Sequence, residues 1–120
     1  MSKKILVVDD EKDLAFLMED LLKTEGYDVL TSTSAPKGLE LAIKTNPDLI
    51  VLDVMMPIIN GYNFCRLLKA QPNLRNIPII LVTSRDENRD KEIGQEVGAD
   101  AYITKPFASE VLLKKIKEFL

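Results

Sequence analysis

The sequence predicts an α/β fold: an open, doubly wound parallel sheet of five strands, covered on both faces by five helices in a (βα)5 arrangement. Three observations lead there. Short apolar runs alternate along the chain with longer amphipathic stretches. Three of those runs are continuous rather than alternating in polarity, as strands buried on both faces must be. Finally, strictly alternating strands and helices require parallel pairing through right-handed crossovers.

The first strand is Lys4 to Val8, followed by a helix in which Leu14, Leu17, Met18, Leu21 and Leu22 share one face and which Gly26 ends. Tyr27 to Leu30 is the second strand, more polar and so nearer a sheet edge. Ser34 is placed to cap a helix that tolerates Pro36 in its first turn and buries Leu39, Ala42 and Ile43 before Pro47. Asp48 to Leu52 is an inner strand, and Gly61 to Gln71 a helix carrying Phe64, Leu67 and Leu68, stopped by Pro72. Ile77 to Val82 is the fourth strand. Asp86 to Val97 is the weakest helix, polar and interrupted by Gly94, with Gly98 as its cap. Ala101 to Thr104 is a second edge-like strand, and Ser109 caps a last helix that buries Leu112, Leu113, Ile116 and Phe119.

A chain of 120 residues, 46% hydrophobic and 29% charged, suits one core and one domain over residues 1–120, with nothing left after the last helix for a second. The net charge of -3 argues against a nucleic-acid surface, and Lys114, Lys115 and Lys117 read as a solvated helix face. One cysteine, Cys65, excludes an internal disulfide and reads as a small core residue, as Met55 and Met56 read as packing. Histidine is absent, which excludes a histidine base, metal ligand or phosphohistidine on this chain. The apolar run from Ile5 to Val8 is too short for a signal peptide or membrane span, so a cytoplasmic protein is expected.

Ligands of open α/β sheets bind beyond the carboxyl ends of the strands, where strand order reverses. Read together, those ends carry Asp9, Asp10 and Glu11 after the first strand, Asp53 at the third, Thr83 and Ser84 at the fourth, and Lys105-Pro106 at the fifth. Taken singly, each has an ordinary explanation: a helix cap for Asp9 or Asp10, a turn for Asp53, a backbone partner for Thr83, plain exposure for Lys105. Converging, they make a site. Clustered carboxylates favour a hard cation with oxygen ligands, for which Mg2+ is the common choice. A carboxylate so neutralised can attack phosphorus while a lysine and a hydroxyl hold the phosphoryl oxygens.

Four stretches, Val7-Val-Asp-Asp-Glu11, Leu52-Asp-Val-Met-Met-Pro57 leading to Gly61, Leu81-Val-Thr-Ser84 and Thr104-Lys-Pro-Phe107, resemble the response regulator receiver domain family across essentially the whole length. The resemblance implies the flavodoxin-like strand order 2-1-3-4-5 and a signalling switch, not an enzyme, that assists its own phosphorylation and dephosphorylation. It implies Asp53 as phosphoacceptor and Mg2+ held by Asp10, with Asp9 beside it, by Asp53 and by the backbone carbonyl of Met55. Lys105 would pair with the phosphoryl group. Thr83 would swing toward it, and Tyr102 would follow to change the surface of the fourth helix, fifth strand and fifth helix. The implied partners are a histidine kinase or phosphotransfer protein, docking on the first helix and the loop after the fifth strand, and a downstream protein or output domain. Neither nucleic acid nor membrane is implied, and the chain is expected as a monomer or a weak dimer on activation.

Asn60 stands where many members have Asp, in an Asn-Gly pair that still turns the chain. Met55 and Arg85, each two residues past Asp53 and Thr83, occupy positions that tune hydrolysis; methionine cannot orient a water, so a comparatively long-lived phosphoryl group is expected. A flavin-binding reading fails because the loop after the first strand is acidic rather than glycine-rich. An aspartate-nucleophile phosphatase would need a second Asp where Met55 stands. A receiver fold binding partners without phosphorylation is the remaining alternative.

Overall fold

The computed structural model describes residues 2–84 and 88–120. Its elements run β1 (Lys4–Val8), α1 (Lys12–Thr24), β2 (Asp28–Ser32), α2 (Ala35–Thr45), β3 (Leu49–Asp53), α3 (Gly61–Lys69), β4 (Ile79–Thr83), α4 (Asn88–Glu96), β5 (Ala101–Thr104) and α5 (Ser109–Phe119). All neighbouring strands pair in parallel, in the order β2-β1-β3-β4-β5. The three continuous apolar runs are the inner strands, and the two more polar ones lie at the edges.

The period-2 geometry of a strand divides each inner run between two cores. Leu6, Val8, Leu52 and Leu81 pack with Phe64, Leu68 and Cys65 on the face carrying α2, α3 and α4. Ile5, Val7, Val51 and Ile80 pack with Met18, Leu22, Leu112 and Ile116 under α1 and α5. Each such fully buried side chain stabilises the fold by roughly 1.5–3 kcal/mol.

Several expectations shift. The strands β2, β3 and β4 begin and end one or two residues later than read, and α3 stops at Lys69 rather than Gln71. The described helix α4 spans Asn88–Glu96; Arg85 and Asp86 lie outside the described residues. Leu17, Ile43 and Leu67, each read as core, are exposed, Leu17 at 65%. Helical periodicity selects a sector wider than the line of contact; that line falls on Ala15, which the pattern leaves out, and on Ala42 and Cys65, both expected in the core. Ser34 does cap α2, its Oγ accepting from the Lys37 amide at 3.5 Å, but Ser109 is the first residue of α5, with Ala108 at the cap. Gly26 and Gly98 follow α1 and α4 with φ of +93° and +92°.

Candidate functional site

At the carboxyl edge of the sheet the parallel register sets Val8 beside Leu52 and Asp53 beside Val82, so the residues closing β1, β3 and β4 end side by side. Asp9 follows β1 and is fully buried, its amide donating to the Ser32 carbonyl at 3.1 Å and its Oδ1 accepting from the Glu11 amide at 2.9 Å. This contact fixes the start of α1: Glu11 holds the cap position without a side-chain capping bond, so neither Asp9 nor Asp10 is the N-cap residue. Asp10 is exposed. Asp53 closes β3 at 3% exposure. One carboxylate oxygen from each of Asp9, Asp10 and Asp53 lies within 4.8 Å of the others.

Lys105, reached through a backbone bond from its amide to the Thr83 carbonyl at 2.7 Å, extends across this cluster. Its Nζ lies 3.1 Å from Asp9 Oδ2, 3.1 Å from Glu11 Oε1 and 3.4 Å from Asp53 Oδ1. Thr83 closes β4, fully buried, opposite Thr104 in the register and therefore next to Lys105. Tyr102 lies on the central part of β5, half-buried against the core beneath α4.

The loop from Asp53 into α3 is shaped by close approach. The Gly61 amide donates to the Val54 carbonyl at 2.8 Å, and a Cβ on Gly61 would stand 2.6 Å from the Asp53 carbonyl oxygen. No larger residue fits without moving the end of β3. Asn60 then caps α3, its Oδ1 accepting from the Asn63 amide at 2.9 Å, so it serves the turn and the helix alike. Met55, read as packing, points to solvent, whereas Met56 is buried.

The electrostatics follow from burial. Desolvation, and then the charge of Asp9, push the Asp53 carboxyl up to about 7 despite Lys105. Burial also raises Asp9, against the Glu11 amide and Lys105. For Lys105, burial works to lower the ammonium, but Asp9, Asp53 and Glu11 outweigh it and hold the group above the ordinary lysine range. By contrast, burial drives the Cys65 thiol up to about 12, which leaves it a packing group.

The structure therefore brings Asp9, Asp10, Asp53, Thr83 and Lys105 to one edge and sets Tyr102 apart from it. The sequence reading gave Glu11 no role; its place directly after Asp10 at the same strand end was the available signal. A cleft of about 420 Å³ adjoins the site, lined by Leu14, Leu17, Met18, Pro106 and Phe107, with Glu11 and Lys105 also on its wall. Among the described residues, no helix is long and apolar enough to cross a membrane.

Comparison with known proteins completes the picture. The family model described as response regulator receiver domain matches residues 5–117. The chain is 43% identical over 120 residues to the alkaline phosphatase synthesis transcriptional regulatory protein PhoP of Bacillus subtilis, and spans 49% of that protein's length. It superimposes on chemotaxis protein CheY4 of Vibrio cholerae with a TM-score of 0.95, at 32% identity and 100% coverage of both chains. The receiver domain of sensor histidine kinase PA1611 from Pseudomonas aeruginosa, solved with a magnesium ion coordinated in the active site cleft, matches with a TM-score of 0.90 at 28% identity, covering 99% of this chain and 98% of that one.

Proposed function

This chain belongs to the response regulator receiver domain family of two-component signalling, and from that premise we propose that it is a switch thrown by phosphorylation of Asp53. The phosphoryl group comes from the phosphohistidine of a partner histidine kinase or phosphotransfer protein. The observation that carries this reading is the buried Asp53 carboxyl at a strand end, met by two further carboxylates and by the Lys105 ammonium.

The donor set fits a divalent cation. Three carboxylates share a 4.8 Å neighbourhood and two of them are buried, where burial and then the charge of Asp9 push the Asp53 carboxyl up to about 7. Asp10, Asp9, Asp53 and the Met55 carbonyl would hold Mg2+, which supplies charge neutralisation between the attacking carboxylate and the phosphoryl oxygens. An Asp53 oxygen forms its bond to phosphorus as the P–N bond to the donor histidine breaks, and the electron pair departs with the imidazole. Lys105 already reaches Asp53, so its ammonium meets the arriving group's oxygens without reorganisation. The Thr83 hydroxyl turns toward the same oxygens, and Tyr102 follows it, altering the α4-β5-α5 surface that a downstream partner reads.

The cleft between α1 and the Lys105-Phe107 loop supports docking of the donor there, because exposed Leu17 and the adjoining apolar side chains open beside Lys105.

Intact mass after incubation with acetyl phosphate tests the reading. The expected outcome is a gain of one phosphoryl group that requires Mg2+ and is absent in Asp53→Asn. A folded, Mg2+-binding protein that gains nothing would instead be a receiver fold that binds its partners without phosphorylation.

A further inference from the structure

Helix α4 carries one large apolar side chain, Ile93. It is strongly polar, and its Gly94 lies against Leu81 and Tyr102 so closely that a Cβ there would stand 3.3 Å from both. On its other side a cleft of about 510 Å³ separates α4 from the loop after Asp53, lined by Met55, Met56, Asn60, Tyr62, Asp90 and Ile93. Across that gap the Tyr62 hydroxyl donates to the backbone carbonyl of Asp90, in the first turn of α4, at 3.2 Å in a buried setting. Tyr62 itself is buried in the core with Phe64 and Leu81.

Tyr62 is also tied to the acceptor. It follows Gly61, whose amide donates to the Val54 carbonyl and where an added Cβ would collide with the Asp53 carbonyl. A displacement of the acceptor loop therefore moves the Tyr62 backbone, and a rigid aromatic ring carries the movement across the cleft to one carbonyl of α4. Helix α4 is thus seated between two tyrosines, Tyr102 from β5 and Tyr62 from α3.

We propose that Tyr62 is a positioning residue, a latch that holds α4 in its unphosphorylated place and links that helix directly to the Asp53 loop. This rests on the reading of Asp53 as phosphoacceptor, and goes beyond it by naming a route to α4 separate from Thr83 and Tyr102. Breaking the latch releases α4 and makes the activated arrangement easier to reach, because the cost of parting the hydroxyl from the carbonyl disappears.

The test is Tyr62→Phe, which keeps the ring and removes one oxygen. In the metal-free protein, amide hydrogen exchange over residues 88–96 is expected to quicken about fivefold, the worth of one net buried hydrogen bond, with β1 and β3 unchanged. With Mg2+ present, half-saturation by beryllofluoride, followed by fluorine NMR, is expected at a concentration lowered by up to about fivefold. A merely structural hydroxyl would leave the second value where it is. Unchanged exchange in α4 overturns the latch, and faster exchange with an unmoved beryllofluoride midpoint overturns its link to the site. A wild-type protein that ignores beryllofluoride counts against the phosphoacceptor reading and removes the link with it, while the exchange arm still decides whether the latch exists.

Discussion

Leu52 and Asp53 are consecutive on β3, and both are nearly excluded from solvent, yet they act on the fold in opposite directions. Leu52 joins the core under α2 and α3, where every buried methylene adds stability. Asp53 leaves water for a place beside Asp9, and its carboxyl responds by holding its proton up to about 7. The same contrast repeats at Val8 and Asp9 and, more mildly, at Val82 and Thr83. The strand interiors make the fold; Asp53, at the end of one, is placed at its expense. Marginally stable proteins tolerate such a rim only because the interior is so thoroughly packed.

The interior should show the largest effect on stability. Phe64 is fully buried over β1 and β3, so Phe64→Ala is expected to destabilise the protein by about 3–5 kcal/mol in urea denaturation. A loss below about 1 kcal/mol would mean the core relaxes freely and the contrast is false.

The rim should show the reverse sign, and only at the right pH. The Asp53 carboxyl binds its proton more tightly folded than unfolded, so this group's stabilisation is complete below about pH 4 and is lost as pH rises through about 7. Lys105 is raised as well, so its contribution persists across this whole window and adds no slope. Metal-free Asp53→Asn is therefore expected to exceed wild type by roughly 1–3 kcal/mol at pH 8, with the difference vanishing near pH 4. Mg2+ should narrow the gap at pH 8 by stabilising wild type alone. Denaturation midpoints at both pH values measure this, and a variant no more stable than wild type at pH 8 removes the claim of cost at the rim.

Met55 sharpens the comparison from the solvent side. Its side chain is exposed, so Met55→Asn is expected to change stability by less than about 0.5 kcal/mol while giving water a hydrogen-bonding partner beside the proposed acyl phosphate. Phosphate release from the Mg2+-loaded protein should then be faster than in wild type. An equal or slower release shows that the thioether does not account for the phosphoryl lifetime.

Much of this arrangement was legible in the residues. Five strands and the inner-versus-edge distinction follow from where apolar runs are continuous and where polar residues interrupt them, while the order 2-1-3-4-5 comes from the resemblance to the receiver family. The strand-end rule then gathers Asp9, Asp10, Asp53, Thr83 and Lys105 before any coordinate is known. What escaped is set by geometry that spacing does not encode. Leu17, Ile43 and Leu67 satisfy helical periodicity, yet they flank the line of contact, which on α1 falls on Ala15, Met18 and Leu22. The partners of Lys105 were likewise hidden: sequence places a lysine at the edge but not that its ammonium meets Asp9 and Glu11 at 3.1 Å each, closer than Asp53. The Tyr62 bridge joins residues 28 apart in sequence, and neither end carries a motif.

Cys65 has a practical consequence. It is the chain's one thiol, fully buried on α3 and reluctant to ionise below about 12. A thiol-specific dye therefore cannot label the folded molecule, and must wait for α3 to lift from the sheet. The rate at which colour develops reports how often that helix opens, so the wild-type chain carries its own clock for local unfolding, one reporter per molecule and no engineering required.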